Sequence, residues 1–130
     1  MNFNSRYSLY VGRFQPFHKG HKWCIDKILS EGKKVCVAVM DIHNVEPEKN
    51  PYKTEDVVLN IETELQNEIL TGSVKVISIP PIESVNYGRD VGYEIIEHIP
   101  PKDIEKISAT KIREKNAWLF DKKVVYCMDW

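Results

Sequence analysis

The chain has 130 residues, with 18 lysines and arginines against 19 aspartates and glutamates and a net charge of −1. That length suits one domain able to bury a core without staples, and the even charge balance argues against the basic field with which a duplex nucleic-acid binder displaces counterions. The longest apolar run, Val35 to Met40, falls far short of the roughly 20 residues that a membrane span needs. The N-terminus lacks a basic stretch followed by an apolar one, so the expectation is a soluble, cytoplasmic protein. Cys24, Cys36 and Cys127 are odd in number and widely spaced, which fits reduced thiols used as small apolar side chains better than a disulfide framework or a metal site.

Ser8-Leu9-Tyr10-Val11 is rich in strand formers and stopped by Gly12, so it reads as a first strand entering a loop. From Lys19 the period changes: Trp23, Cys24, Ile28 and Leu29 share one helical face, and Gly32 suits the helix end. Val35 to Met40 is apolar throughout, as expected of a parallel strand buried on both faces. Asp41 to Tyr52 carries Asn44, Pro47, Asn50 and Pro51 and reads as an unusually long loop. Val58, Ile61, Leu65 and Ile69 then recur at spacings of three and four behind Glu55 and Asp56, which suit the first turn of a helix. Val74 to Ile79 reads as a third strand closed by Pro80-Pro81. Val91 to Ile99 is a weaker fourth, its Glu-Ile-Ile-Glu centre being equally readable as helix. A last helix is expected from Ser108 or Thr110, either of which suits an N-cap, to about Trp118.

Alternating strands and helices around a central apolar strand predict a three-layer α/β domain with a mostly parallel sheet. In such sheets ligands bind beyond the carboxyl ends of the strands. The loops at 12–18 and 41–53 are therefore the places to look, and the first of them runs straight into His18-Lys19-Gly20-His21 at a helix start. Histidines three apart there share a face, and a helix N-terminus seats phosphate on its unpaired N–H groups and positive dipole end. Phosphoryl chemistry needs chiefly positioning and donors where charge builds up. Two imidazoles and Lys19 suit that need.

His18-Lys19-Gly20-His21 resembles the HxGH signature of the nucleotidyltransferase superfamily. Gly12-Arg13-Phe14-Gln15-Pro16-Phe17-His18 is most similar to the opening loop of archaeal-type nicotinamide-nucleotide adenylyltransferases, and Ile107-Ser108-Ala109-Thr110-Lys111-Ile112-Arg113 resembles the superfamily's second signature, ISxTxxR. The resemblance implies a Rossmann-like fold of the HUP type as a single domain over residues 1–130; Leu119 to Trp130 is a tail outside the resemblance, expected to pack on the sheet or on a second subunit. It implies an enzyme that transfers AMP from ATP to a phosphorylated acceptor such as nicotinamide mononucleotide, releasing pyrophosphate, with CTP and a small phosphorylated alcohol as the alternative pair.

By the same resemblance His18, His21 and Arg113 are the catalytic residues, and Gly12, Arg13, Phe14, Lys19, Gly20, Ser108 and Thr110 lie along the nucleotide and its phosphates. Magnesium rides on the phosphates rather than in a carboxylate cage of the protein. Candidate acceptor contacts are Asp41, Asn50, Lys53, Tyr87 and Arg89; Tyr87 and Arg89 offer an aromatic face and a guanidinium fork in the polar stretch Ser84 to Asp90. As ordinary structure, Ser108 and Thr110 would be caps, Arg113 a surface cation, and Arg89 and Asp90 a surface pair. His43 and His98 read as surface residues, His43 being within reach of the site from its long loop.

Two departures bear on specificity. Val57 stands where the adenylyltransferases carry an arginine, for which Lys53 or Arg89 is the candidate substitute, and the region after Pro81 is much shortened. Two other classes of answer compete. A noncatalytic nucleotide-binding regulatory domain predicts loss of a catalytic residue, whereas His18, His21 and Arg113 are all present; a fragment of a class I aminoacyl-tRNA synthetase predicts a KMSKS-like loop and a basic surface, and the chain has neither.

Overall fold

A computed structural model describes residues 6–88 and 94–105. Its strands are β1 (Tyr7–Gly12), β2 (Lys34–Met40) and β3 (Val74–Ile79), joined by helices α1 (Lys19–Ser30), α2 (Thr54–Glu64) and the short α3 (Gln66–Leu70). A further short helix, α4 (Lys102–Glu105), comes after β3. The three strands form one parallel sheet in the order β1-β2-β3, with Tyr10 opposite Val37 and Val37 opposite Val76. The domain is thus α/β with a parallel sheet, as the alternation of periods predicts.

Both crossovers step the same way along the sheet, so right-handed connections put both helices on one face. The packing agrees. Ile25 and Ile28 of α1, Val57 and Ile61 of α2, and Val35, Val37, Val39 and Val74 of the strands belong to a single core cluster, which Phe14, Phe17 and Tyr52 complete from the loops. Strand alternation assigns Leu9, Val11, Cys36, Ala38, Met40, Ile77 and Ile79 to the other face, and Leu9 is exposed there. The described residues supply one helical layer; the late helix expected from Ser108 or Thr110 lies outside them, as does the tail from Leu119.

Two element expectations need correction. The helix expected to run unbroken through Leu65 is interrupted there, Leu65 taking φ −109° and ψ 25° between α2 and α3. Just upstream the Thr63 hydroxyl donates to the Leu59 carbonyl at 2.8 Å, the back-bond that weakens and bends a helix, while Leu65 itself stays fully buried. Residues 94–99 form neither strand nor helix, and Ile95, Ile96 and Ile99 are exposed; an apolar pair between glutamates gives no strand unless a neighbour covers it. Residues 91–93 of that expected strand lie outside the described ones. Among the described residues no helix is long and apolar enough to cross a membrane.

Candidate active site

Both helices leave the carboxyl ends of their strands, so the N-termini of α1 and α2 point to the same end of the sheet, each with a positive dipole end. The loop from β1 to α1 is a folded aromatic plug. Phe14 takes a positive φ of 54°, which costs a bulky residue roughly 1–2 kcal/mol. Burial of its ring offsets that cost by about 1.5–3 kcal/mol, since Phe14 is 0% exposed. The ring meets Tyr10 at 5.8 Å, Phe17 at 6.0 Å and the edge of His21 at 5.1 Å between centroids. Phe17 stacks on the same imidazole at 5.8 Å. Phe14, expected along the nucleotide, therefore has only backbone to offer a ligand.

On this aromatic floor the two histidines build the start of α1. His18 is the N-cap and its Nδ1 accepts from the Gly20 N–H at 3.0 Å; His21, three positions on, accepts the His18 N–H on its own Nδ1 at 3.1 Å. This is a reciprocal capping box made entirely of imidazoles, with ring centroids 3.8 Å apart. Because each Nδ1 is an acceptor, each neutral ring carries its proton on Nε2. Burial lowers the pKa of His18 to about 4. Burial, and then the charge of His18, hold His21 well below the ordinary histidine value. Both rings are therefore uncharged near neutrality, each with its proton on Nε2.

Around the pair, Lys19 is exposed on the first turn and Gly20 is buried, its N–H used in the cap. Lys22 is engaged by Asp26 one turn on, at 3.1 Å. A hollow of about 200 Å³ is lined by Phe17, His18, Lys19, Lys22 and Glu64. A larger one of about 310 Å³ is lined by Leu29, Lys34 and Ser73, among others; Lys34 and Ser73 put it at the amino ends of the strands, where ligands of such sheets do not bind.

The second loop closes on itself and on the first. Asp41 N–H donates to the Ile79 carbonyl at 2.8 Å, extending the β2–β3 pairing, and its carboxylate accepts from the Thr54 hydroxyl at 2.7 Å at the start of α2. His43 donates from Nδ1 to the Asn50 carbonyl at 2.7 Å, and the Asn50 amide donates to the Glu46 carbonyl at 3.0 Å. Asn50 is fully buried, and its amide N–H helps to fold the loop. His43 and His98 are half-buried, not the surface residues expected. Arg13 approaches Glu46 at 4.0 Å across the two loops.

Sequence reasoning missed the strongest link between these loops. Gln15, 2% exposed, donates from Nε2 to the Tyr52 carbonyl and accepts the Tyr52 N–H on Oε1, both at 2.9 Å. The signal was there in principle: an amide among Phe14, Pro16 and Phe17 has to find partners if the loop is buried. The structure thus brings Gly12, Arg13, Phe14, His18, Lys19 and Gly20 together with His21 at one loop and helix start. Asp41, Asn50 and Lys53 belong to the adjoining loop, with Lys53 the exposed N-cap residue of α2. Tyr87 is exposed on the irregular chain after β3. Arg89, Ser108, Thr110 and Arg113 lie outside the described residues.

Residues 9–63, which span β1 through α2 and hence both loops, match the family model described as cytidylyltransferase-like. A nicotinamide-nucleotide adenylyltransferase of Ignicoccus hospitalis is 32% identical over 136 positions, covering 82% of this chain and 77% of the relative. One from Thermoplasma acidophilum is 32% identical over 71% of this chain and 49% of its own length, and one from Methanocorpusculum labreanum is 26% identical over 85% and 79%. The chain thus spans only about half of the Thermoplasma protein. A parallel α/β sheet with an HxGH helix start at its carboxyl end defines a nucleotidyltransferase-type domain. The chain belongs to the cytidylyltransferase-like family, and these three relatives all carry the name nicotinamide-nucleotide adenylyltransferase.

Proposed function

We propose that the protein transfers AMP from ATP to a phosphorylated acceptor, nicotinamide mononucleotide being the first candidate, with release of pyrophosphate. The observation that carries this reading is the imidazole capping box: two oriented Nε2–H donors at the positive end of α1, where a polyphosphate is expected to sit. An acceptor phosphate oxygen attacks the α-phosphorus, the bond from that phosphorus to the β-bridging oxygen breaks, and pyrophosphate leaves with the electron pair. His18 and His21 stabilise the charge that gathers on the phosphate oxygens, which is where preorganised donors contribute most. Lys19 adds positive charge, and the backbone of Gly12, Arg13 and Phe14 lines the nucleotide. Arg113, Ser108 and Thr110 are assigned to the phosphates on the sequence resemblance alone.

The reading has magnesium entering on the polyphosphate, whose charge it neutralises. The acceptor side is assigned to the loop holding Asp41 and Lys53. The choice of ATP rests on the adenylyltransferase names of the relatives.

The test is pyrophosphate release in magnesium with ATP and with CTP across a panel of phosphorylated acceptors. Turnover is expected with ATP and nicotinamide mononucleotide. Turnover with CTP alone would replace the donor, and nucleotide binding without turnover on any acceptor would make the domain a regulatory one.

A further inference from the structure

We propose that Gln15 is a positioning residue of this site, its amide bolting the histidine-bearing loop to the loop that opens α2. The two bonds between Gln15 and Tyr52 reproduce with a side chain what a strand does with its backbone: one N–H given and one accepted, at 2.9 Å each, between residues 37 apart in sequence. Gln15 stands three residues before the N-cap of α1, and Tyr52 two residues before the first residue of α2. One side chain therefore fixes both helix starts relative to each other.

Space-filling alone does not account for an amide here. The neighbours Phe14, Pro16 and Phe17 are buried and apolar, and a methionine would fill the same volume with nothing to satisfy. A buried amide whose donor and acceptor are both used avoids the cost of an unpaired polar group, and it then allows one geometry rather than many. That geometry matters because a displacement of about 1 Å in a positioned group costs on the order of a hundredfold in rate. The loop between Gln15 and His18 holds only Pro16 and Phe17, so slack at Gln15 reaches the His18 N–H that orients His21.

The kinetic arm of the test rests on the nucleotidyl-transfer reading; the spectroscopic arm does not. In Gln15→Met, kcat should fall at least tenfold while KM for the nucleotide changes by less than about threefold, the signature of lost positioning rather than lost binding. The imidazole nitrogens of His18 and His21, read by nitrogen–proton correlation in the ligand-free protein, should lose their uniform Nε2–H pattern. A folded Gln15→Met protein with wild-type kcat and wild-type ring nitrogens overturns the proposal. Gln15→Glu gives a second route should the methionine variant not fold. A protonated carboxyl has a donor and an acceptor in the same plane, so its kcat relative to wild type at each pH should rise as pH falls from 8 to 6; a flat ratio overturns the proposal. If the wild-type protein turns over no acceptor, the transferase reading falls and the ring nitrogens still decide the role of Gln15.

Discussion

The ring of Phe14 occupies the place of a side chain at position 12: a Cβ on Gly12 would stand 2.8 Å from Phe14 Cζ and 3.0 Å from Cε1. The glycine that ends β1 is thus the space into which the plug folds, and backbone freedom is secondary. Gly12→Ala should destabilise the protein by about 1–3 kcal/mol, the usual range for overpacking a full core. Urea denaturation of Gly12→Ala, Phe14→Leu and the double variant checks the contact. The double variant should lose less than the sum of the two singles, because each relieves part of the other's strain.

Substitutions in the capping box can test the proposed chemistry apart from folding. His18→Asn keeps a side-chain acceptor at the N-cap, a position where asparagine ranks among the best, but removes the imidazole. Its denaturation midpoint should stay near wild type while pyrophosphate release falls by on the order of a hundredfold. His21→Ala should lose a similar factor in rate and in addition about 1 kcal/mol of stability, as its Nδ1 no longer receives the His18 N–H. A His18→Asn protein with the full rate would remove His18 from the transition state.

Acid should weaken the fold before the carboxylates titrate. Folded His18 has its pKa lowered to about 4 by burial, and His21 is also held low by burial and by its neighbour. In the unfolded chain both titrate near 6.5. Below about pH 6.5 the unfolded state therefore binds more protons than the native state, and stability falls with pH across the window from about 6.5 to 4. Urea midpoints at pH 7, 6 and 5 should decline in the wild type and decline less in His18→Asn; parallel curves would show that the pair is not the cause.

Thr54 and Asp41 join the end of β2 to the start of α2 through one hydroxyl at 2.7 Å. Thr54→Val should cost about 1 kcal/mol in thermal denaturation, the net worth of a hydrogen bond of this kind. Asp41→Asn, which keeps an oxygen in place, should cost less. If the second loop holds the acceptor, the valine variant should also raise KM for the acceptor more than KM for the nucleotide.

The elements that were legible in the sequence are those whose periodicity has one meaning. Val35 to Met40 has to be an interior strand, and the spacing of Trp23, Cys24 and Ile28 has to be a helix, so a parallel α/β sheet and the location of the two loops followed. The HxGH residues were legible as a candidate site through the resemblance they carry, whereas the mutual cap they form at the start of α1 was not. What stayed hidden depends on contacts between residues distant in sequence. Nothing adjacent to Gln15 tells that its partner is the backbone of Tyr52, and nothing adjacent to Asn50 tells that it is turned inward. The break at Leu65 was concealed because that residue keeps its place in the apolar pattern on either side of the kink. The burial of the Phe14 ring stayed hidden for a related reason: a motif shows which residues recur beside a ligand, not which of them hold up the others.

The mutual cap of His18 and His21 also decides what the smallest portable unit of this site is. Moving either histidine by one position would remove a donor and, in the same stroke, undo the first turn of α1; fraying that turn by a change elsewhere would disarm the donors with both rings intact. Four residues grafted onto another helix would carry the letters of the motif without its geometry. A designer wanting this arrangement would have to transplant the strand end, the aromatic plug and the opening turn as one piece, together with the glutamine that anchors it.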